Sequence, residues 1–291
     1  YRKKIAVPIG AVMTPVLGFI DYWLLLLQRA HDDGAAGITF VGLLALWHWV
    51  TKPKRDYARA YKTEILPDIA RLFGDFRYNA KGKIPMESMN PSGIIPYHTG
   101  YKSEDYFEGT YKNVDIKFSE IKLTKKSDKK TITVFKGLAI FLTQGTRKFF
   151  GHTILTKDKG AIGEWFKKKS SNLKRANLVD PEFEKLFDVF TSDQVEARYL
   201  IDPLIIENLK TLYAEYNGNN MMAAFYDGHF LILIGSKENH FEPASIEVPA
   251  TDESALLSMK REISQILSIV DRLSLYDPKK RRMAERAERA A

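Results

Sequence analysis

The sequence predicts an α+β protein, with an N-terminal transmembrane helical hairpin followed by a cytosolic domain of mainly antiparallel sheet with packed helices and a long C-terminal helix. Three observations lead there. Two long apolar runs open the chain, several stretches between residues 114 and 236 alternate apolar and polar residues, and two later stretches repeat apolar residues at helical steps. Strand–helix–strand alternation is too sparse for a doubly wound sheet, so the strands are expected to pair as hairpins.

The first run, Ile5–Leu27, has 23 residues and one charged member, Asp21. The second, Gly34–Val50, has 17 residues and no acid, Lys or Arg. A bilayer core takes about 20 residues of helix at roughly 1.5 Å each. The first run is long enough, and the second ends in Trp47 and Trp49, which suit a membrane interface. A shallow or re-entrant hairpin with Asp21-Tyr22-Trp23 at the interface is the alternative. The first run is too long for the apolar part of a cleaved signal and is followed by a second span. The chain opens on Tyr1 rather than Met, which leaves room for an upstream segment.

Orientation follows from the flanks. Arg2-Lys3-Lys4 precede the first run and Lys52, Lys54, Arg55, Arg59 and Lys62 follow the second, while the intervening turn sets Arg29 against Asp32 and Asp33. The positive-inside rule then puts both termini and the soluble domain in the cytoplasm. Asp21 falls ~10 Å from the outer end of its helix, and an intramembrane carboxylate is a functional candidate. The plainer reading keeps it wet among the headgroups.

Residues 1–51 thus read as the hairpin, 52–100 as a juxtamembrane helix and connection, 101–276 as the soluble domain and 277–291 as a charged tail. From Asp56, apolar residues at Tyr57, Tyr61, Ile65, Ile69, Leu72 and Phe73 predict an amphipathic helix that Pro67 should kink. Residues 79–100, rich in Pro, Gly, Asn and Ser, read as an extended connection. Val114, Ile116 and Phe118 alternate with polar residues, and Ile121 and Leu123 follow after a break in phase. With Thr131–Thr143 they form a hairpin or meander. Gly151–Thr156 predicts a further strand, and residues 161–176 a short basic helix. Phe187–Ser192 and Arg198–Ile201 are short apolar segments, and on extended backbone the even-numbered polar residues of this stretch could share a face with Arg198. Asp202-Pro203 is an N-cap followed by Pro at the first helical position, with Ile205, Leu209, Leu212 and Tyr216 on one stripe. Met221–Ser236 predicts a hairpin about Asp227-Gly228, with Phe230, Ile232 and Ile234 facing the core. Leu256, Met259, Ile263, Ile266, Val270 and Leu273 form the seam of the final helix.

Composition removes several chemistries. No cysteine is present, so disulfides, thiolate nucleophiles and cysteine-bound metals are excluded. His31, His48, His98, His152, His229 and His240 show no ligand spacing, and no phosphate-binding loop or nucleophile elbow occurs, so no metal or cofactor is expected. The net charge is +8, of which +7 lies beyond residue 50. That excess suits anionic headgroups, with Lys52, Lys54, Arg55 and Arg59 as the membrane-surface contact. Nucleic acid is disfavoured, because the charge is scattered and no binding motif accompanies it. The densest polar group is Asp188, Asp193, Glu196 and Arg198, ahead of Asp202. As a site it would pair a carboxylate acid or base with an electrostatic Arg, and as structure Arg198 would be a strut between a strand and a helix cap.

Several segments together resemble a bacterial family known as domain of unknown function 3137, whose genes commonly lie beside those of the LemA family. The residues are Glu104–Gly109, Phe118-Ser119-Glu120, Phe135-Lys136-Gly137, Gly151-His152-Thr153, Phe187–Leu200 continued by Asp202-Pro203, and Phe241-Glu242. The resemblance runs from about Tyr57 to Leu275. It would put Thr before Pro203, where Asp202 keeps the capping role. It implies a bacterial inner-membrane protein with a cytosolic domain, no established activity, and LemA-like proteins among possible partners. A membrane-anchored, non-enzymatic adaptor or scaffold is therefore expected, holding a protein partner or copies of itself. The alternative is a membrane-bound enzyme or lipid-handling protein with its site around Asp188–Asp202.

Overall fold

The computed structural model describes residues 18–19, 22, 33–127, 130–144, 151–156, 172–176, 180–216, 220–242 and 252–272. The chain divides into two units: Tyr1–Ile65 with Pro243–Ala255, and Leu66–Glu242 with Leu256–Ala291.

In the first unit, α1 runs from Asp33 to Ala60 and passes directly into a π turn, Tyr61–Ile65. Pro53 lies inside α1, and two residues before it Thr51 returns its hydroxyl to the Trp47 carbonyl at 2.8 Å. The second run is thus helical, and the helix does not stop at the predicted membrane boundary. Pro67 has no N–H for the carbonyl four residues earlier, and a wide π turn immediately precedes the segment that holds it. Gly18, Phe19 and Tyr22 are helical and exposed, while the rest of Ile5–Leu27, Asp21 included, lies outside the described residues. Among the described residues no helix is long and apolar enough to cross a membrane.

The second unit begins with α2, Leu66–Arg71. It is built on an antiparallel sheet with strand order β1-β2-β3-β4-β9-β8-β5-β7-β6. In chain order the strands are β1 Arg77–Asn79, β2 Gly100–Tyr111, β3 Val114–Ser127, β4 Lys130–Gln144, β5 Thr153–Thr156, β6 Lys174–Arg175, β7 Asp188–Thr191, β8 Met222–Tyr226 and β9 His229–Gly235. The α+β expectation, with mainly antiparallel pairing, holds. The predicted tight turn, Asp227-Gly228 between β8 and β9, has positive φ at both central residues, as a primed turn needs, and so does Lys112-Asn113 between β2 and β3, which the sequence did not single out.

Burial explains what periodicity left open. On β9, Phe230, Ile232 and Ile234 are buried as expected, but so are Leu231 and Leu233, because this strand is covered on both faces. The phase break in β3 is not a bulge, for pairing with β4 is regular from Val114 to Leu123. Instead the buried face changes, so that Ile116 and Phe118 are buried on one side and Ile121 and Leu123 on the other. Ile84, Met89 and Ile94 pack with Ile121, Leu123, Phe135, Leu231 and Leu233. The supposed extended connection is therefore a cover for the sheet, shaped by α3 (Met86–Met89) and a 3-10 turn, Asn90–Ser92. On the opposite face Phe107, Phe118 and Phe241 cluster at centroid distances of 4.6 to 5.9 Å.

Among the described residues four further helices follow: α4 Pro181–Leu186, α5 Gln194–Leu200, α6 Pro203–Glu215 and α7 Glu253–Arg272. On α6 Ile205, Leu209 and Leu212 are buried, and on α7 Met259, Ile263, Ile266 and Val270 are, matching both predicted seams. Leu273 and most of the predicted basic helix lie outside the described residues, while its last part, Lys174–Arg175, is strand β6, paired to β7.

Candidate functional site

The predicted polar group is brought into one short stretch of chain, and each member is put to a different task. Residues 194–200 are helical rather than extended, so the shared strand face expected for Arg198 and its neighbours does not form. Asp193 is the N-cap of α5, accepting from the Val195 and Glu196 amides at 2.8 and 3.0 Å. Asp202 caps α6 by accepting from the Ile205 amide at 2.8 Å, with Pro203 at the first helical position. Asp188 pairs with Arg175 across β7 and β6 at 3.1 Å. Glu196 accepts the Gly151 amide at 2.5 Å, tying α5 to the segment before β5. Arg198 is exposed in the last turn of α5. Its neighbours Val195 and Tyr199, four apart on α5, are 78% and 66% exposed, and Leu204 at the start of α6 is 55% exposed. This is an exposed apolar and aromatic surface with an Arg beside it, not a nucleophile–base constellation. Among the described residues no group of His, Asp and Glu is arranged to hold a metal.

The basic group on α1 is exposed throughout: Lys52, Lys54, Arg55 and Arg59 all face solvent. His48, Lys52, Arg55 and Arg59 recur at steps of four, three and four, which puts them on one face. Within it Arg55 lies 3.0 Å from His48 Nδ1. Trp47 and Trp49 stand exposed one turn earlier.

Two buried polar clusters escaped the sequence reading. Asp105 is fully buried, with φ +53° at the register shift in β2, and it accepts the Tyr78 hydroxyl at 2.5 Å. Burial raises the Tyr78 phenol above its ordinary value, and the bond to Asp105 and its charge push the same way. In the second cluster, Tyr101, His152 and Tyr226 reach the covering segment and donate to the carbonyls of Ile84, Ser92 and Ser88 at 2.9, 2.7 and 2.8 Å. Burial lowers the His152 pKa, while its bond to the Ser92 carbonyl and the charge of Asp227 oppose the shift. The acceptors here are backbone carbonyls, which no residue type announces, and a lone His or Tyr is no signal without them.

The architecture defines a class: an antiparallel α+β domain whose predicted polar residues cap helices and join strands, accompanied by a second unit with a basic, Trp-bearing helix. Residues 133–275 match the family described as "Protein of unknown function (DUF3137)", which shows the resemblance. The matched stretch begins within β4, so the segments at Glu104–Gly109 and Phe118–Glu120 lie ahead of it. No curated protein matches the chain. One solved structure, "crystal structure of the mycobacterial trehalose monomycolate transport factor A, TtfA", aligns with TM-score 0.36 and 11% identity, over 69% of this chain and 92% of that one. At that distance it carries nothing further.

Proposed function

We propose that this protein is a membrane-anchored, non-enzymatic adaptor that presents its sheet domain to a protein partner at the cytoplasmic face of the inner membrane. One observation carries the reading. Along α1 the sequence passes from the apolar run Gly34–Leu46, through exposed Trp47 and Trp49, to exposed Lys52, Lys54, Arg55 and Arg59. Apolar segment, aromatic belt and basic turn in that order are the composition of a helix leaving a bilayer on its cytoplasmic side. Ile5–Leu27 is the matching span, and together the two runs make the hairpin. The exposed Val195, Tyr199 and Leu204 with Arg198 support the adaptor half, since Tyr and Arg beside apolar residues are enriched where proteins dock.

Two measurements test it. Membrane fractions treated with alkaline carbonate should retain the full chain, and replacing Lys52, Lys54, Arg55 and Arg59 together by Gln should weaken association with anionic headgroups by about 1 kcal/mol for each cation lost. Gentle detergent extraction should bring down a stoichiometric partner, LemA-like proteins included, and Tyr199→Ser should release it while the chain stays folded. A chain that washes off with carbonate, or that isolates as a bare monomer, overturns the proposal.

A further inference from the structure

The sheet carries two cross-strand rows of charged residues whose signs are ordered differently. Arg77, Glu108 and Lys117 lie in register on β1, β2 and β3, so their charges alternate, as cross-strand pairing favours. Lys102, Lys122 and Lys136 lie in register on β2, β3 and β4, and three like charges on opposite positions are disfavoured. Lysine on an open edge discourages unwanted strand pairing, and that accounts for Lys102, whose part of β2 has no β1 partner. Lys122 and Lys136 stand on interior strands, where the explanation lapses. Glu104 and Glu120 face each other one row away, two residues or about 7 Å along the strands.

The three lysines, with Glu104 and Glu120, line a cleft of about 230 Å³ whose far side is the loop after β9, with Glu238 and Asn239. That loop is held down on the sheet. Lys136 Nζ donates to the Lys237 carbonyl at 3.0 Å and to Asn239 Oδ1 at 2.8 Å, and Glu120 accepts the His240 amide. Gly137 forms the floor at φ +153°, where an added Cβ would meet the Ile234 carbonyl at 2.0 Å. Lys102 and Lys122 are exposed, and among the described residues neither forms an ion pair. A destabilising charge row kept in a walled cleft is the usual exchange of stability for binding.

We infer that the cleft binds a compact zwitterion, with its phosphate-class oxyanion against Lys102 and Lys122 and its ammonium against Glu104 and Glu238. A bare anion would meet three carboxylates in the same space, and a bare cation three lysines. The volume is below the roughly 300–1,000 Å³ of drug-sized sites, which selects a ligand the size of a headgroup. An ethanolamine-type phospholipid headgroup and its free glycerophosphodiester share this chemistry.

The test is a calorimetric and thermal titration of the full chain in detergent micelles. The probe is glycerophosphoethanolamine, with glycerol phosphate and ethanolamine as its separate halves. At ten times its dissociation constant the zwitterion should raise the melting temperature by about 4 °C. Each half should bind at least about tenfold more weakly, as should the zwitterion to Lys102→Gln or Lys122→Gln. Either variant should leave the unliganded melting temperature unchanged or higher, since like-charge repulsion is relieved. Glu104→Gln should weaken the zwitterion and strengthen glycerol phosphate. Vesicles of phosphatidylethanolamine with phosphatidylcholine, against phosphatidylcholine alone, separate the sources: protection by the mixed vesicles marks a lipid ligand, and protection by the soluble probe alone marks a free one. Absence of any shift with probe and vesicles overturns the inference. So does a pair of lysine variants that melt earlier and bind unchanged, which would make the rows a surface ion ladder. The soluble-probe readout does not depend on membrane anchoring, so the two proposals fail separately.

Discussion

At the scale of single residues, one glycine and one histidine fix conformations that the residue alphabet barely advertises. Gly137 combines φ +153° with a Cβ direction that runs into the Ile234 carbonyl. Gly137→Ala should cost about 3 kcal/mol in denaturant unfolding, because strain and a backbone clash add and neither neighbour can retreat within a central ladder. His152 gives a pH prediction. Its folded pKa is held below the ordinary 6.5 by burial, so the neutral form is the one the fold prefers. The stability it lends is whole above pH 6.5 and is lost as pH falls through the lowered folded value. Burial lowers His229 and His240 too, so the three act in the same direction. Melting temperature should therefore drop between pH 7 and 5, and His152→Gln should shallow that slope without removing it. Sequence spacing offered six scattered histidines, and nothing in it distinguished the one that pins Ser92 from the rest.

At the scale of elements, caps and seams were legible, while the meaning of the polar residues between them was not. Asp202-Pro203, Asp227-Gly228 and the steps from Met259 to Val270 are local signals, each satisfied within one turn or one helix. Asp193 and Arg198 were misread because helix or strand could not be decided for seven residues, and the choice moves every side chain to a new face. The reassigned roles separate cleanly. Asp193→Ala should cost about 1 kcal/mol by removing the cap of α5. Arg198→Ala, on an exposed helix end, should stay within roughly ±0.5 kcal/mol. A large loss for Arg198→Ala would restore the strut. The cover over residues 84–95 was missed for another reason. Pro85, Pro91 and Gly93 do mark irregular backbone, but irregular chain still buries apolar side chains when the sheet holds its carbonyls, as Tyr101, His152 and Tyr226 do here.

At the scale of the whole molecule, strand order decides where stability resides. Pairing between chain neighbours was readable from turns, but the insertion of β5 between β8 and β7 was not, since β5 has four residues and no turn links it to either. That order puts β9 and β8 in the interior, hydrogen-bonded on both sides and buried on both faces. By contrast, Lys125–Ser127 and Lys130–Ile132 have no third strand beside them, for β2 reaches β3 no further than Thr124 and β9 meets β4 from Gly137 onward. The Lys126 amide also donates to the Thr99 hydroxyl at 2.9 Å. The side chains of Lys125–Ser127 and Lys130–Ile132 are exposed. Local opening follows burial and neighbouring hydrogen bonds, so the ribbon should open without the rest. Amide hydrogen exchange should find Phe230–Ile234 among the slowest amides, exchanging by global unfolding, and Lys125–Thr133 faster by at least about a hundredfold. Denaturant should accelerate the first group and leave the second nearly unchanged, because opening the ribbon exposes little new surface. Equal protection along β4, from Lys130 to Thr143, would mean that another element lies on the ribbon, and uniformly fast exchange in β9 would place that strand at an edge.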